Sequence, residues 1–377
     1  MKGARLASTQ AASIKMKATK LISMLMIIAL ALSVIPYSAT AEEENSIDIL
    51  VLGDSIALGT NSSYCAGQLA ANCTDSNCTV LARDGMKTTN LLIQLSSIKA
   101  KVKSAKNIVI SIGGNDFLDP IMALIDSYRT EGEPISAAVE NMKKDAVNVM
   151  KKYKETVPTQ LQPALKNIGD IAKKIRSLNT TAKVMFLNMY NPVEALVKED
   201  TMFDILNSQF KTFVADFNSG LAAVEGITVL PLFEKFEGNN SIYTNSLYYY
   251  KTFNDYDIHP SDEGQLLIAA LIKSEITGTP LDEAKAQVIM LNYSDREISR
   301  LPAPLKEGLN LTRKKGDAND DGVIDAADAA LVLKYSVGKT DPGRLDMNNT
   351  DVNKDKDTDT CDATLILKYD AKIITSF

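Results

Sequence analysis

From residue 47 onward the chain alternates short, mostly apolar runs with longer stretches whose apolar positions recur every three or four residues. The short runs cover 47–52, 79–82, 107–112, 183–188 and 227–230. Such runs suit strands buried on both faces. Their alternation with helical stretches predicts an α/β fold with a parallel sheet covered by helices on both sides. Between the third and fourth runs the helical region, about 118–178, exceeds what a plain crossover needs and predicts an insertion able to wall a substrate cleft. Lys143, Lys144, Lys151, Lys152 and Lys154 fall on it and read as a solvated helix face. Amphipathic stretches at 262–276 and 281–292 close the unit.

A chain of 377 residues exceeds one domain of about 150, and both ends depart from this pattern. Residues 21–35 are uncharged and apolar, follow five basic side chains and lead to Ala39-Thr40-Ala41, so 1–41 reads as a signal peptide. The α/β unit is then 46–292, and 293–315, with Pro302, Pro304 and Gly308, reads as a linker. A net charge of −6 argues against nucleic acid as the main partner. Cys65, Cys73 and Cys78 lie close together and, in a secreted chain, predict one local disulfide whose pairing spacing leaves open.

Residues 316–377 hold thirteen aspartates and no glutamate, and they repeat with a period of 34. One copy supplies Asp317, Asn319, Asp321, Asp325 and Asp328, and the other Asp351, Asn353, Asp355, Asp359 and Asp362. With the backbone carbonyls of Val323 and Asp357 at position 7, each copy has oxygen donors at positions 1, 3, 5, 7, 9 and 12 of a calcium loop. Position 6 is Gly322 in the first copy but Lys356 in the second, a departure costing about 1 kcal/mol if that residue is left-handed. The duplicated loop and helix resemble a type I dockerin. That resemblance implies a small all-α module with two structural Ca2+ ions and a cohesin of a cellulosome scaffold as partner, met by Ala326, Ala327, Thr360 and Cys361.

The first apolar run leads into Gly53-Asp54-Ser55, which puts a serine where a strand turns into a helix, the usual place for a site in an open α/β sheet. His259, in Asp257-Ile258-His259-Pro260, is the only histidine and so the only side chain with an ordinary pKa near neutrality to act as its base. Acyl transfer also needs donors for an oxyanion, and the N–H groups of Ser55 and Gly85 with the Asn115 amide supply them. Ser55, Gly85, Asn115 and His259 fall in order on the four blocks of the SGNH/GDSL hydrolases, which this part of the chain resembles. The resemblance implies a three-layer flavodoxin-like sheet and serine esterase or lipase activity with no catalytic cofactor. That family places its acid three residues before the histidine, where this chain has Tyr256, so Asp257 or Asp255 completes the triad, or a backbone carbonyl orients the imidazole instead.

The combined expectation is a secreted, cellulosome-attached esterase, monomeric in its catalytic domain, that removes acyl groups, acetyl first among them, from plant-wall polysaccharide. A lysophospholipase-like or broad carboxylester hydrolase, with the insertion as an apolar lid, is the second reading. A catalytically dead binding module is the third.

Overall fold

The computed structural model describes residues 46–340, 345 and 347–377; the expected signal peptide lies outside them. Five strands form one parallel sheet: β1 (Ile47–Gly53), β2 (Cys78–Val80), β3 (Ala105–Ser111), β4 (Lys183–Leu187) and β5 (Thr228–Leu230). Their order is β2-β1-β3-β4-β5. All five expected strands are present, and the order is that of a flavodoxin-like doubly wound sheet.

Side-chain alternation sorts each strand between two cores. Leu50 and Leu52 of β1, Ile108 and Ile110 of β3, and Val184 and Phe186 of β4 enter one cluster. Ile49 and Val51, Val109, and Met185 and Leu187 enter the other. Both faces are therefore apolar, which is why the strand sequences carry so little polar alternation.

The first cluster is roofed by the insertion, made of α1 (Gly114–Asp126), α2 (Ile135–Lys144), α3 (Ala146–Thr156) and α4 (Leu161–Leu178), together with α5 (Thr201–Ala222). The second is covered by the helix Ala66–Asn72, by α6 (Asp262–Thr277) and by α7 (Leu281–Asn292). Ser261 caps α6 by accepting the Gly264 N–H at 3.2 Å.

The stretch read as a linker is more than a spacer. It forms the short helices Asp295–Arg300 and Ala303–Lys306, and Ile298, Leu301 and Leu305 are buried in the second cluster.

The repeat region has its own small core of Ala318, Ala329, Leu331, Val332, Leu345, Val352, Ala363 and Ile366. Its helices, α8 (Ala326–Ser336) and α9 (Thr360–Asp370), pack against each other. Each is entered through the same capping box, Asp325 with Asp328 and Asp359 with Asp362. No helix of the described residues is long and apolar enough to cross a membrane.

Candidate active site

Strand order fixes where the site lies. After β1 the chain winds to β2 on one side, and after β2 it crosses to β3 on the other, so a crevice opens at the carboxyl ends of β1 and β3. Ser55 follows β1 and Asn115 follows β3 at that edge. Gly53 makes the exit possible. Its φ is +117°, and a Cβ there would stand 1.8 Å from the Ser111 carbonyl oxygen. Asp54 then donates its N–H to that same oxygen at 2.9 Å, and its carboxylate accepts the Ile56 N–H at 3.1 Å.

Ser55 and His259, 204 residues apart, meet with Oγ 2.9 Å from Nε2. The other ring nitrogen, Nδ1, lies 2.5 Å from Asp257 Oδ1, which also accepts the His259 backbone N–H at 2.9 Å. With the ring proton on Nδ1 facing the carboxylate, Nε2 faces the serine as an acceptor. Asp255 is elsewhere: its carboxylate pairs with Arg129 at 3.3 Å and accepts the Tyr256 N–H at 3.0 Å. Of the two candidate acids, the structure brings only Asp257 to the imidazole.

Sequence reasoning missed Asn61. Its amide donates to the second Asp257 oxygen at 3.0 Å and lies 3.5 Å from His259 Nδ1. Asn61 has φ +59°, and its own carbonyl accepts from the Asn245 amide at 3.0 Å. Asn245 N–H in turn donates to the His259 carbonyl at 2.9 Å, and the Tyr190 hydroxyl donates to the Ile258 carbonyl. The histidine segment is thus held from three sides.

The loop carrying Gly85, which has φ +68°, is tied to the same edge. Arg83 N–H donates to the Gly53 carbonyl at 2.9 Å, and the Asn115 amide donates to the Met86 carbonyl at 3.1 Å. That bond fixes the Asn115 side chain while leaving its amide a second hydrogen to offer. Asp116 accepts both the backbone N–H and the hydroxyl of Thr88, at 3.0 and 2.7 Å, and locks the loop to the start of α1.

Burial alone would push the Asp257 carboxyl up, but the hydrogen bonds from the His259 ring and backbone, the imidazole's charge and the Asn61 amide outweigh it and hold Asp257 below the usual range. Asp54 goes the other way. Burial raises it to about 7, against the opposing hydrogen bonds from Ser111 and the Ile56 and Ala57 N–H groups. The four cysteines are free thiols, so the expected disulfide staple is not formed. Burial pushes Cys73 and Cys78 to about 12, and the Cys65 thiol donates to the Ala57 carbonyl at 3.4 Å.

In the repeat module the two loops match bond for bond. Asp317 accepts the Asp321 and Gly322 N–H groups at 3.0 and 2.8 Å, and Asp351 accepts those of Asp355 and Lys356, both at 3.1 Å. Asp328 gathers the N–H groups of Ala318, Asn319 and Asp325, and Asp362 those of Val352, Asn353 and Asp359. Gly322 and Lys356 are both left-handed, with φ +86° and +77°. Among the described residues no three His, Cys, Asp or Glu side chains form a finished metal cage. The donor set nevertheless fits a hard divalent cation, since it consists only of carboxylate, amide and carbonyl oxygens. Burial, reinforced by neighbouring carboxylates, pushes Asp317 up to about 6 and Asp328 to about 7.

Residues 51–267 match the GDSL-like lipase/acylhydrolase family and residues 315–369 the dockerin type I domain. The chain belongs to the GDSL-like lipase/acylhydrolase family and carries a C-terminal type I dockerin; it is a serine carboxylic ester hydrolase. Similar solved structures include a lipase from a goat rumen metagenome, 20% identical with a TM-score of 0.40, over 60% of this chain and 96% of that one. Another is phospholipase A1 from Streptomyces albidoflavus, 18% identical with a TM-score of 0.37, over 58% and 94%. A third is a carbohydrate esterase family 2 enzyme with a carbohydrate-binding domain, from Myceliophthora fergusii. It is 14% identical with a TM-score of 0.32, over 62% and 66%. Comparison with curated protein sequences gives no match.

Proposed function

We propose that Ser55, His259 and Asp257 are the catalytic triad of a scaffold-borne ester hydrolase. The observation that carries this reading is the unbroken chain of contacts from Ser55 Oγ through the imidazole to Asp257. In the reaction His259 Nε2 takes the Ser55 proton as Oγ attacks the ester carbonyl carbon. The Ser55 and Gly85 N–H groups and the Asn115 amide receive the oxyanion. Collapse expels the alcohol, protonated by His259, and leaves an acyl-serine. A water molecule deprotonated by His259 then releases the acid and restores Ser55. Asp257 stays ionised and holds the ring in the tautomer this sequence needs.

The dockerin makes the enzyme a component of an extracellular cellulosome-type assembly, with a cohesin as its partner. Asp317, Asn319, Asp321, Asp325 and Asp328 with the Val323 carbonyl, and their counterparts Asp351 to Asp362, would hold calcium, which when bound neutralises the converging carboxylates. The company dockerins keep makes acylated plant-wall polysaccharide the proposed substrate, and acetyl is the acyl group that this company alone suggests. The broader carboxylester reading is favoured by a specific feature, the apolar hollow under the insertion. The intact Ser55–His259–Asp257 contacts speak against an inactive binding module.

Ser55→Ala and His259→Ala, assayed on acetylated xylan, acetylated pectin and p-nitrophenyl esters, test the triad. Each is expected to abolish hydrolysis of every ester while circular dichroism stays unchanged. Retention of more than about a tenth of wild-type kcat, a loss under ~1.4 kcal/mol, would remove the serine–histidine assignment.

A further inference from the structure

Two adjoining hollows lie beside the triad, of about 100 and 50 Å³. Leu118, Ile121, Pro192, Phe210 and Ile258 border both, so the two share a wall. The smaller is bordered by Asp54 and Gly114, the chain neighbours of Ser55 and Asn115. The larger reaches from Asp257 and Ile258 into the insertion, to Ile135, Met142 and Tyr153. Its walls are almost wholly apolar. Dry apolar cavities of about 150 Å³ take up small hydrocarbons such as benzene, whereas an acetyl group would leave most of this space unfilled.

A second observation points to a ligand. Tyr153 is buried at 5% exposure and borders the larger hollow, and its hydroxyl has no hydrogen-bond partner among the described residues. A buried polar group left unpaired is destabilising, and a ligand oxygen reaching it would remove that penalty.

We propose that these hollows seat the acyl half of the substrate, and that the preferred ester carries a hydrocarbon chain of about six to eight carbons, with an oxygen that Tyr153 can reach. The proposal rests on Ser55 as the nucleophile. Its acyl carbonyl then lies at Ser55 and its chain runs past Ile258 under the insertion. The alcohol half stays outside, so a polysaccharide or a small alcohol can fill that role.

The test is a series of p-nitrophenyl esters from acetate to octanoate, with ω-hydroxylated hexanoate and octanoate added. In the wild type kcat/KM is expected to rise at least tenfold from acetate to hexanoate or octanoate. Leu206→Trp or Val193→Phe, each filling the larger hollow, is expected to remove that rise and keep acetate hydrolysis. Tyr153→Phe is expected to leave the plain series alone and erase the advantage of the hydroxylated esters. A wild-type profile that is flat or falls from acetate overturns the acyl assignment, even if Ser55→Ala is dead and the triad stands. Activity surviving in Ser55→Ala would instead overturn the triad. Hydroxylated esters no better than plain ones would overturn the role of Tyr153.

Discussion

Asn61 and Asp257, 196 residues apart, are joined by a 3.0 Å hydrogen bond from the amide to the carboxylate oxygen that the imidazole does not use. In the proposed triad this bond makes Asn61 a positioning residue acting through Asp257. Asn61→Ala is expected to lower kcat by about tenfold, a loss of ~1.4 kcal/mol, with KM little changed. The acid limb of the kcat profile should move as well, since the carboxylate loses one of the donors that hold it ionised. An unchanged pH profile would reduce Asn61 to a loop residue.

Asp257 and Asp255 should separate cleanly. Asp257→Asn is expected to cost up to about 10⁴ in kcat, by removing the charge that fixes the imidazole. Asp255→Asn touches only the half-buried Arg129 pair and the turn at Tyr256, and is expected to stay within about twofold of wild type. Equal activity in both variants and in the double variant would leave a serine–histidine dyad.

Asp54 makes stability depend on pH. Its folded pKa, about 7, lies above its ordinary value of 3.8. Between those values the folded chain keeps a proton that the unfolded chain releases. The contribution is therefore fully present below about pH 4 and lost as pH rises through 7. Asp54→Asn should melt like wild type near pH 4 and higher than it at pH 8, by several degrees at roughly 2–4 °C per kcal/mol. Parallel melting curves for the two proteins from pH 4 to pH 8 would contradict this.

The two modules should respond differently to chelation. The repeat core is small, and its loop carboxylates repel one another without a cation, so EDTA is expected to reduce far-UV ellipticity by the share belonging to α8 and α9. Hydrolysis of a soluble ester should stay within about twofold, since no site residue belongs to that module. An esterase that loses its activity with the chelated metal would show that the modules are coupled.

The sheet was legible because buried parallel strands need short apolar runs, and five such runs alternate with helical stretches from residue 47 onward. The loops of the repeat were legible because the spacing of their oxygen donors is local. Asn61 was not. It sits in Gly59-Thr60-Asn61-Ser62, where an asparagine is explained by the turn alone, and its left-handed φ supplies that explanation. The choice between Asp255 and Asp257 also depended on a bend, because Asp257 folds back to accept the His259 N–H and is not part of a simple extended strand. The packed stretch after Asn292 did carry a signal: Ile298, Leu301 and Leu305 recur at helical spacing, and the prolines and glycine around them drew the reading to a linker. The hollow near the triad belongs to several separated segments and has no signature along the chain.

That hollow sets stability and activity against each other. At about 24 cal/mol per Å³ of cavity, a space of about 100 Å³ forgoes roughly 2 kcal/mol of packing. Selection for heat resistance alone would therefore favour larger side chains at Leu206, Val193 or Ile121, and would do so by closing the space where the substrate is proposed to lie. Variants recovered from such a selection would be sturdier proteins with a narrower diet, and their substitutions would outline the chamber.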